Sequence, residues 1–124
     1  MTTLPARFSD RDLSIDVVES PGELRLVWKG RSTDREPARV LRPVFDAVLE
    51  KVRGDRLRLV MDFTGVDYMN SSTFTPLVKA LDESRRLNVP IVLEYSLARR
   101  WQALSFSALR TFETLDGRIK VHGK

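Results

Sequence analysis

The sequence contains no cysteine, and its single histidine is His122. Without cysteine the chain can form no disulfide, thiol nucleophile, zinc-thiolate site or iron–sulfur cluster, which fits a reducing compartment. His122 lies two residues from the end of the sequence, where a side chain is poorly placed to orient a proton transfer. No second histidine can join it as a transition-metal ligand. We therefore predict that His122 is a surface residue and that the protein holds no metal.

Long apolar stretches and a secretory signal are also missing. Each apolar run ends at a charged residue well short of the roughly 20 residues that a membrane-spanning helix needs. The first residues lack the basic start and apolar core of a signal peptide. We therefore expect a cytoplasmic protein with no membrane segment.

The usual motifs of nucleotide and ester chemistry are absent as well. The six glycines are scattered, and they form neither a phosphate-binding loop nor a dinucleotide-binding fingerprint. Ser71 does not lie in a Gly-x-Ser-x-Gly elbow and has no recognisable base. Asp62 and Asp67 flank one predicted loop, but nothing in the sequence marks them as a catalytic pair. We predict a protein that is not an enzyme, with no catalytic residue and no cofactor.

What the sequence does contain fits one globular domain. Its 124 residues are 42% hydrophobic and 31% charged, which is typical of a folded protein. The net charge of +4 arises from basic residues interleaved with acids, a pattern typical of a solvated surface. The densest basic pairs are Arg85-Arg86 and Arg99-Arg100. We interpret residues 1–10 as an N-terminal extension and residues 11–124 as the domain.

Periodicity in the first half predicts a hairpin, a helix and a strand. Apolar and polar residues alternate over 13–17 and 24–28, and a Pro-Gly turn separates the two strands. Apolar residues recur at helical spacing over 41–52, and Gly54 ends that helix. Residues 57–63 follow as a central strand with a strongly apolar face.

Periodicity in the second half predicts two further helix and strand pairs. A loop covers 66–70, and a helix begins near Ser71 because apolar residues recur behind it at every third or fourth position. Residues 91–95 form a strand, residues 101–115 a third helix, and residues 118–121 a short last strand.

The predicted order is therefore ββαβαβαβ, an α/β fold. Strands that alternate with helices indicate parallel pairing with right-handed crossovers, here attached to an antiparallel hairpin. We expect a mixed sheet of about five strands packed by three main helices. Trp28 and Trp101 lie in apolar stripes and are predicted to belong to the core.

One segment carries a resemblance to a known family. Residues 59–72 read Leu-Val-Met-Asp-Phe-Thr-Gly-Val-Asp-Tyr-Met-Asn-Ser-Ser. This segment resembles the signature of the STAS family, named for sulphate transporters and anti-sigma-factor antagonists, in which a strand ends Asp-x-Ser-Gly-Val and Asp-Ser-Ser-Gly opens a helix after a short loop. The resemblance covers about residues 12–122 and implies a STAS-like fold.

The resemblance also implies a regulatory role. In stand-alone bacterial members the first serine of the pair is phosphorylated by an ATPase-type serine kinase that is also an anti-sigma factor, and a serine phosphatase reverses the reaction. By position that serine is Ser71, with Ser72 as a capping or local hydrogen-bonding residue. Asn70 stands where the family usually has Asp, and Thr73 stands where it usually has Gly. The implied partner-binding segment consists of Tyr68, Met69, Asn70, Ser71, Ser72, Thr73 and Phe74.

Four interpretations remain open at this point. The first is a non-catalytic interaction module of a bacterial partner-switching pathway, controlled by phosphorylation of Ser71. The second is a STAS-like domain that senses a ligand or nucleotide, which a buried polar pocket would favour. The third is a small basic nucleic-acid-binding domain that uses the arginine pairs. In the fourth, Ser71 and Ser72 only cap a helix. If several of Tyr68, Met69 and Phe74 face solvent beside Ser71, they indicate a partner surface instead, and if they are buried they are ordinary core residues.

Overall fold

The structure, a computed structural model that describes residues 3–124, contains one mixed sheet of six strands. The strands are β1 (Arg7–Asp10), β2 (Leu13–Ser20), β3 (Glu23–Ser32), β4 (Arg58–Met69), β5 (Ile91–Tyr95) and β6 (Ile119–Gly123). The helices are α1 (Ala38–Asp55), α2 (Ser71–Arg86) and α3 (Arg100–Ser107), and α3 continues into a 3-10 helix at Ala108–Phe112.

The strands lie in the sheet in the same order as in the chain. β1, β2 and β3 pair antiparallel, whereas β3 to β6 pair parallel. Each parallel connection crosses to the next strand in the same direction, so right-handed crossovers place all three helices on one face of the sheet. The opposite face carries no helix in the described chain. The carboxyl ends of the parallel strands β3 to β6 lie side by side at one end of the sheet, which we call the carboxyl edge.

The core lies between the sheet and the helices. Leu24, Leu26 and Trp28 of β3 are buried, while the residues between them are only half-buried, which is the period of two expected for a strand with one covered face. Trp28 contacts the rings of Phe45 and Phe63 with centroid distances of 5.9 and 4.7 Å. This aromatic cluster confirms Trp28 as a core residue.

The predicted fold class is confirmed, and the number and extent of strands are corrected. The sheet has six strands rather than five, because β1 forms within the residues interpreted as an extension. β1 has only four residues, too few for a readable alternation, and its pairing with β2 holds it in the sheet. The loop predicted at 66–70 is instead the end of β4, which continues past Gly65 to Met69 with irregular pairing to β3.

The helix boundaries also differ from the prediction at two points. α1 continues beyond Gly54 to Asp55, and Arg56 adopts the left-handed conformation at its C-terminus with φ of 54°. The helix predicted at 101–115 stops at Ser107 and tightens into the 3-10 helix, and Leu115 is fully exposed. Pro43 and Pro76 each occupy the sixth position of their helix, where the helix continues through them.

Among residues 3–124, no helix is long and apolar enough to cross a membrane. The same residues contain no group of three or more His, Cys, Asp or Glu side chains arranged to hold a metal ion.

Candidate functional site

Ser71 is the first residue of α2 and lies at the carboxyl edge of the parallel strands. β4 ends at Met69, and Asn70 takes the extended conformation of an N-cap with φ of −72° and ψ of 164°. Ser71 is exposed, and its hydroxyl makes no hydrogen bond to residues 3–124. The predicted start of the second helix is therefore confirmed, and Asn70 rather than either serine is the capping residue.

Asn70 holds this turn through both ends of its side-chain amide. Its Oδ1 accepts from the backbone N–H of Thr73 at 3.0 Å and from the Thr73 hydroxyl at 2.7 Å. Its Nδ2 donates to the carbonyl oxygen of Asp34 at 2.8 Å. The amide orientation follows from these partners, because only the oxygen can accept the Thr73 N–H. Asn70 thus joins the start of α2 to the turn that follows β3.

A buried pair of hydroxyl groups extends this network. Ser32 and Thr73 are 3% and 0% exposed, and their side-chain oxygens lie 2.7 Å apart. Since the Thr73 hydroxyl donates to Asn70, the Ser32 hydroxyl donates to Thr73. The backbone N–H of Asn70 also donates to the carbonyl of Ser32 at 3.1 Å. The end of β3 and the first turn of α2 are therefore one hydrogen-bonded unit.

Gln102 of α3 holds the irregular part of β4. Its Nε2 donates to the carbonyls of Phe63 and Val66 at 2.8 and 2.9 Å, and its Oε1 accepts from the Ser96 N–H at 2.7 Å. Gln102 is fully buried. The sequence analysis missed this residue, since an isolated Gln inside a helical stripe carries no signal of its partners.

The segment predicted to bind a partner divides into exposed and buried residues. Tyr68, Ser71 and Ser72 are exposed, and Asn70 and Phe74 are half-buried. Met69 and Thr73 are buried, so their side chains belong to the interior and are not available to a partner in this conformation. Tyr68 is 42% exposed and stacks under the guanidinium of Arg31, which lies 5.1 Å from the ring centroid.

Carboxylates near this edge already have partners. Asp67 pairs with Arg99 at 2.9 Å. The Asp34 carboxylate accepts from the Glu36 N–H, and this backbone hydrogen bond lowers the pKa of Asp34. Burial raises the pKa of neighbouring Asp10, and the nearby Asp34 carboxyl raises it further.

The other candidate residues of the sequence analysis do not converge on a site. Asp62 accepts from the Thr64 N–H and hydroxyl on the helix-free face, whereas Asp67 pairs with Arg99, so the two acids do not face one another. His122 is exposed and lies within β6, directly beside Glu94 of β5. The surface position predicted for His122 is confirmed.

The two arginine pairs lie at opposite ends of the parallel strands. Arg85 and Arg86 end α2, where they pair with acids of their own helix, Asp82 and Glu83. The Arg99-Arg100 pair begins α3 at the carboxyl edge. The two pairs therefore do not form one basic surface.

Comparisons with known proteins support the fold. A scan against protein-family models finds no match, and a search of curated proteins finds none. A crystal structure of an anti-sigma factor antagonist from Mycobacterium paratuberculosis is similar, with a TM-score of 0.62 and 17% identity over 90% of this chain and 95% of that chain. A second similar chain comes from the crystal structure of the diguanylate cyclase SiaD in complex with its activator SiaC, from Pseudomonas aeruginosa. Its TM-score is 0.64 and its sequence identity 17%, over 95% of this chain and 98% of that chain.

A third similar structure has a described fold. It is an uncharacterised DUF3478-family protein with a SpoIIAA-like fold from Shewanella loihica, with a TM-score of 0.54 and 14% identity over 96% of this chain and 88% of that one. The chain therefore has a STAS-like, SpoIIAA-like fold, as the resemblance of residues 59–72 implies.

Proposed function

We propose that this chain is a non-catalytic protein-interaction module of the anti-sigma-factor antagonist type, switched by reversible phosphorylation of Ser71. The observation that carries the proposal is the position of Ser71, an exposed first residue of a helix whose hydroxyl forms no hydrogen bond within the described residues 3–124. Two of the similar structures are those of an anti-sigma factor antagonist and of a diguanylate cyclase in complex with its activator. Both are consistent with a protein partner.

Phosphorylation at Ser71 fits the local chemistry. An ATPase-type serine kinase would transfer the γ-phosphoryl group of ATP to the Ser71 oxygen, with release of ADP and a proton, and a serine phosphatase would hydrolyse the ester. The first turn of α2 contains no acidic residue, and the helix N-terminus favours negative charge. A phosphate adds about −1.5 to −2 charges at this position, while the capping network of Asn70 stays inside the turn. The fold persists while the docking surface changes.

The contact surface in this proposal is narrower than the segment from Tyr68 to Phe74. We assign direct contact to the exposed Tyr68, Ser71 and Ser72 and to the half-buried Phe74, while Asn70 holds their turn. Met69 and Thr73 support the surface from the interior. We place the phosphorylation and dephosphorylation of Ser71 in the cytoplasm, where a kinase has access to ATP.

The test compares four affinity-tagged baits expressed in the native host: wild type, Ser71→Ala, Ser71→Asp and Ser72→Ala. We expect Ser71→Ala to retain its partner constitutively and Ser71→Asp to bind it less well, because the added charge lies in the docking surface. Phosphopeptide mass spectrometry of the wild-type bait should place phosphate on Ser71. Ser72→Ala is the matched control, since it removes an adjacent exposed hydroxyl from the same turn.

Equal capture of the same proteins by all four baits, with no phosphate on Ser71 when its kinase is present, would reduce the two serines to ordinary first-turn residues.

A further inference from the structure

We propose that the surface around Ser71 binds an acidic face of its protein partner through three arginines, Arg31, Arg35 and Arg100. We call these residues the carboxyl-edge arginines. This inference rests on the proposed function, and it adds the sign of the partner's charge and the residues that would recognise that charge.

The fold brings the three arginines to the same edge as Ser71. Arg31 lies opposite Tyr68 in the pairing of β3 with β4. Arg35 directly follows Asp34, whose carbonyl is held by the Asn70 side chain. Arg100 is the first residue of α3 and follows Arg99, which is paired with Asp67 at the end of β4.

The carboxyl-edge arginines are exposed, and none of them forms an ion pair with a carboxylate of residues 3–124. Two neighbouring arginines, in contrast, do form ion pairs: Arg39 pairs with Glu36 at 3.7 Å, and Arg99 pairs with Asp67. The guanidinium of Arg31 is held over the ring of Tyr68, which restricts its rotamers while its N–H groups stay free of carboxylate.

The nearby acids offset only part of this charge. Glu36 and Asp67 are paired with Arg39 and Arg99, whereas Asp34 accepts from the neutral Glu36 N–H and keeps its own negative charge, with Asp10 beside it. The edge therefore has an excess of positive charge beside an exposed aromatic ring, a combination that is enriched at protein interfaces and complements a negative surface.

The same charges explain how a phosphate would act. A phosphoryl group on Ser71 places about −1.5 to −2 charges at the same edge as the carboxyl-edge arginines. It would compete with the carboxylates of the partner for these guanidinium groups and repel those carboxylates directly. Loss of binding on phosphorylation is then an electrostatic effect that weakens as the salt concentration rises.

The experiment uses the protein captured by the Ser71→Ala bait, purified, and measures its affinity for full-length variants at low and high ionic strength. The test variant is Arg31→Glu/Arg35→Glu. The matched control is Arg42→Glu/Arg53→Glu, which reverses two exposed arginines on α1 that also form no ion pair with the part of the chain that the structure describes. Circular dichroism confirms that both variants fold. Oligoglutamate and oligolysine peptides serve as competitors.

We expect the test variant to bind at least about tenfold more weakly at low salt, a difference that shrinks at high salt, and the control to stay within about twofold of wild type. Oligoglutamate should displace the partner and oligolysine should not. If the test variant binds as well as the control while Ser71→Asp still binds less well, this inference is wrong and the proposed function stands. If the Ser71 variants do not differ from wild type, the proposed function fails first, and this inference fails with it.

Discussion

At the scale of single residues, the cap of α2 depends on which end of the Asn70 side chain faces which partner. Its oxygen accepts from Thr73, and its nitrogen donates to the Asp34 carbonyl. An aspartate, the residue usual at this position in the family that residues 59–72 resemble, keeps the acceptor but replaces the donor by a second oxygen. Asn70 is therefore matched to the turn after β3 and is not a neutral exchange for Asp.

We predict that Asn70→Asp lowers the free energy of unfolding by about 1 kcal/mol. The lost hydrogen bond to Asp34 and the repulsion between two oxygens outweigh the favourable interaction of a carboxylate with the helix N-terminus. Urea denaturation followed by circular dichroism measures the change. Asn70→Ser is the control, because it loses the same donor without adding charge and should be similarly destabilised. A variant with Asp at position 70 that equals or exceeds the wild type in stability would contradict this account.

The residues of the site show what sequence alone could and could not predict. The start of a helix at Ser71 follows from a local pattern, a cap-forming residue ahead of regularly spaced apolar positions. The burial of Thr73 does not, because it depends on Ser32, a residue 41 positions earlier in the chain. Met69 likewise becomes interior only because β4 continues to it. The burial of Thr73 and Met69 therefore depends on contacts with residues distant in the chain, which a local pattern does not contain.

At the scale of elements, the end of α1 is set by a backbone conformation rather than by glycine. Gly54 is the residue that a sequence pattern favours as a terminator, yet the left-handed position is taken by Arg56 two residues later. The Arg56 N–H still bonds back to the carbonyl of Arg53, and the N–H of Leu57 bonds to that of Val52. The helix is closed in the usual way, by a residue that is strained there.

We predict that Arg56→Gly raises the free energy of unfolding by about 0.5 to 1 kcal/mol. Glycine adopts a positive φ without the steric penalty of a Cβ, although its greater freedom in the unfolded chain offsets part of the gain. Arg53→Gly is the matched control, since the same exchange inside the last turn should lower stability by about 1 kcal/mol. Thermal and urea unfolding of both variants test the prediction. It is wrong if both glycines destabilise alike.

The strands and helices also show why local patterns predicted the order but not all the boundaries. Gly65 looks like a break because glycine weakens a strand, but pairing with β3 and the hydrogen bonds from Gln102 keep β4 extended beyond it. β1 is too short to be recognised without β2 beside it. In both places tertiary contacts override local preference.

At the scale of the whole molecule, the helices of residues 3–124 cover one face of the sheet and leave the other without a helix. This helix-free face is held by ion pairs that cross strands. Arg25 of β3 donates to Glu94 of β5 at 2.7 Å, passing over β4, and Lys124 lies 3.1 Å from the same carboxylate. Glu94 is only 8% exposed, so these two cations lie against a largely buried carboxylate.

We predict that Arg25→Met lowers the free energy of unfolding by about 1 to 3 kcal/mol, because it leaves a largely buried carboxylate with one cation. The value is below that of a fully buried pair, since the Arg25 side chain is 29% exposed and Lys124 remains. The double variant Arg25→Met/Glu94→Gln should recover most of the loss, because it removes the charge left uncompensated.

Arg7→Met is the control. It breaks an exposed pair with Asp16 and should change stability less than Arg25→Met does. Urea unfolding of the four proteins decides the point. If Arg25→Met is no more destabilising than Arg7→Met, the helix-free face does not depend on the pair that spans it.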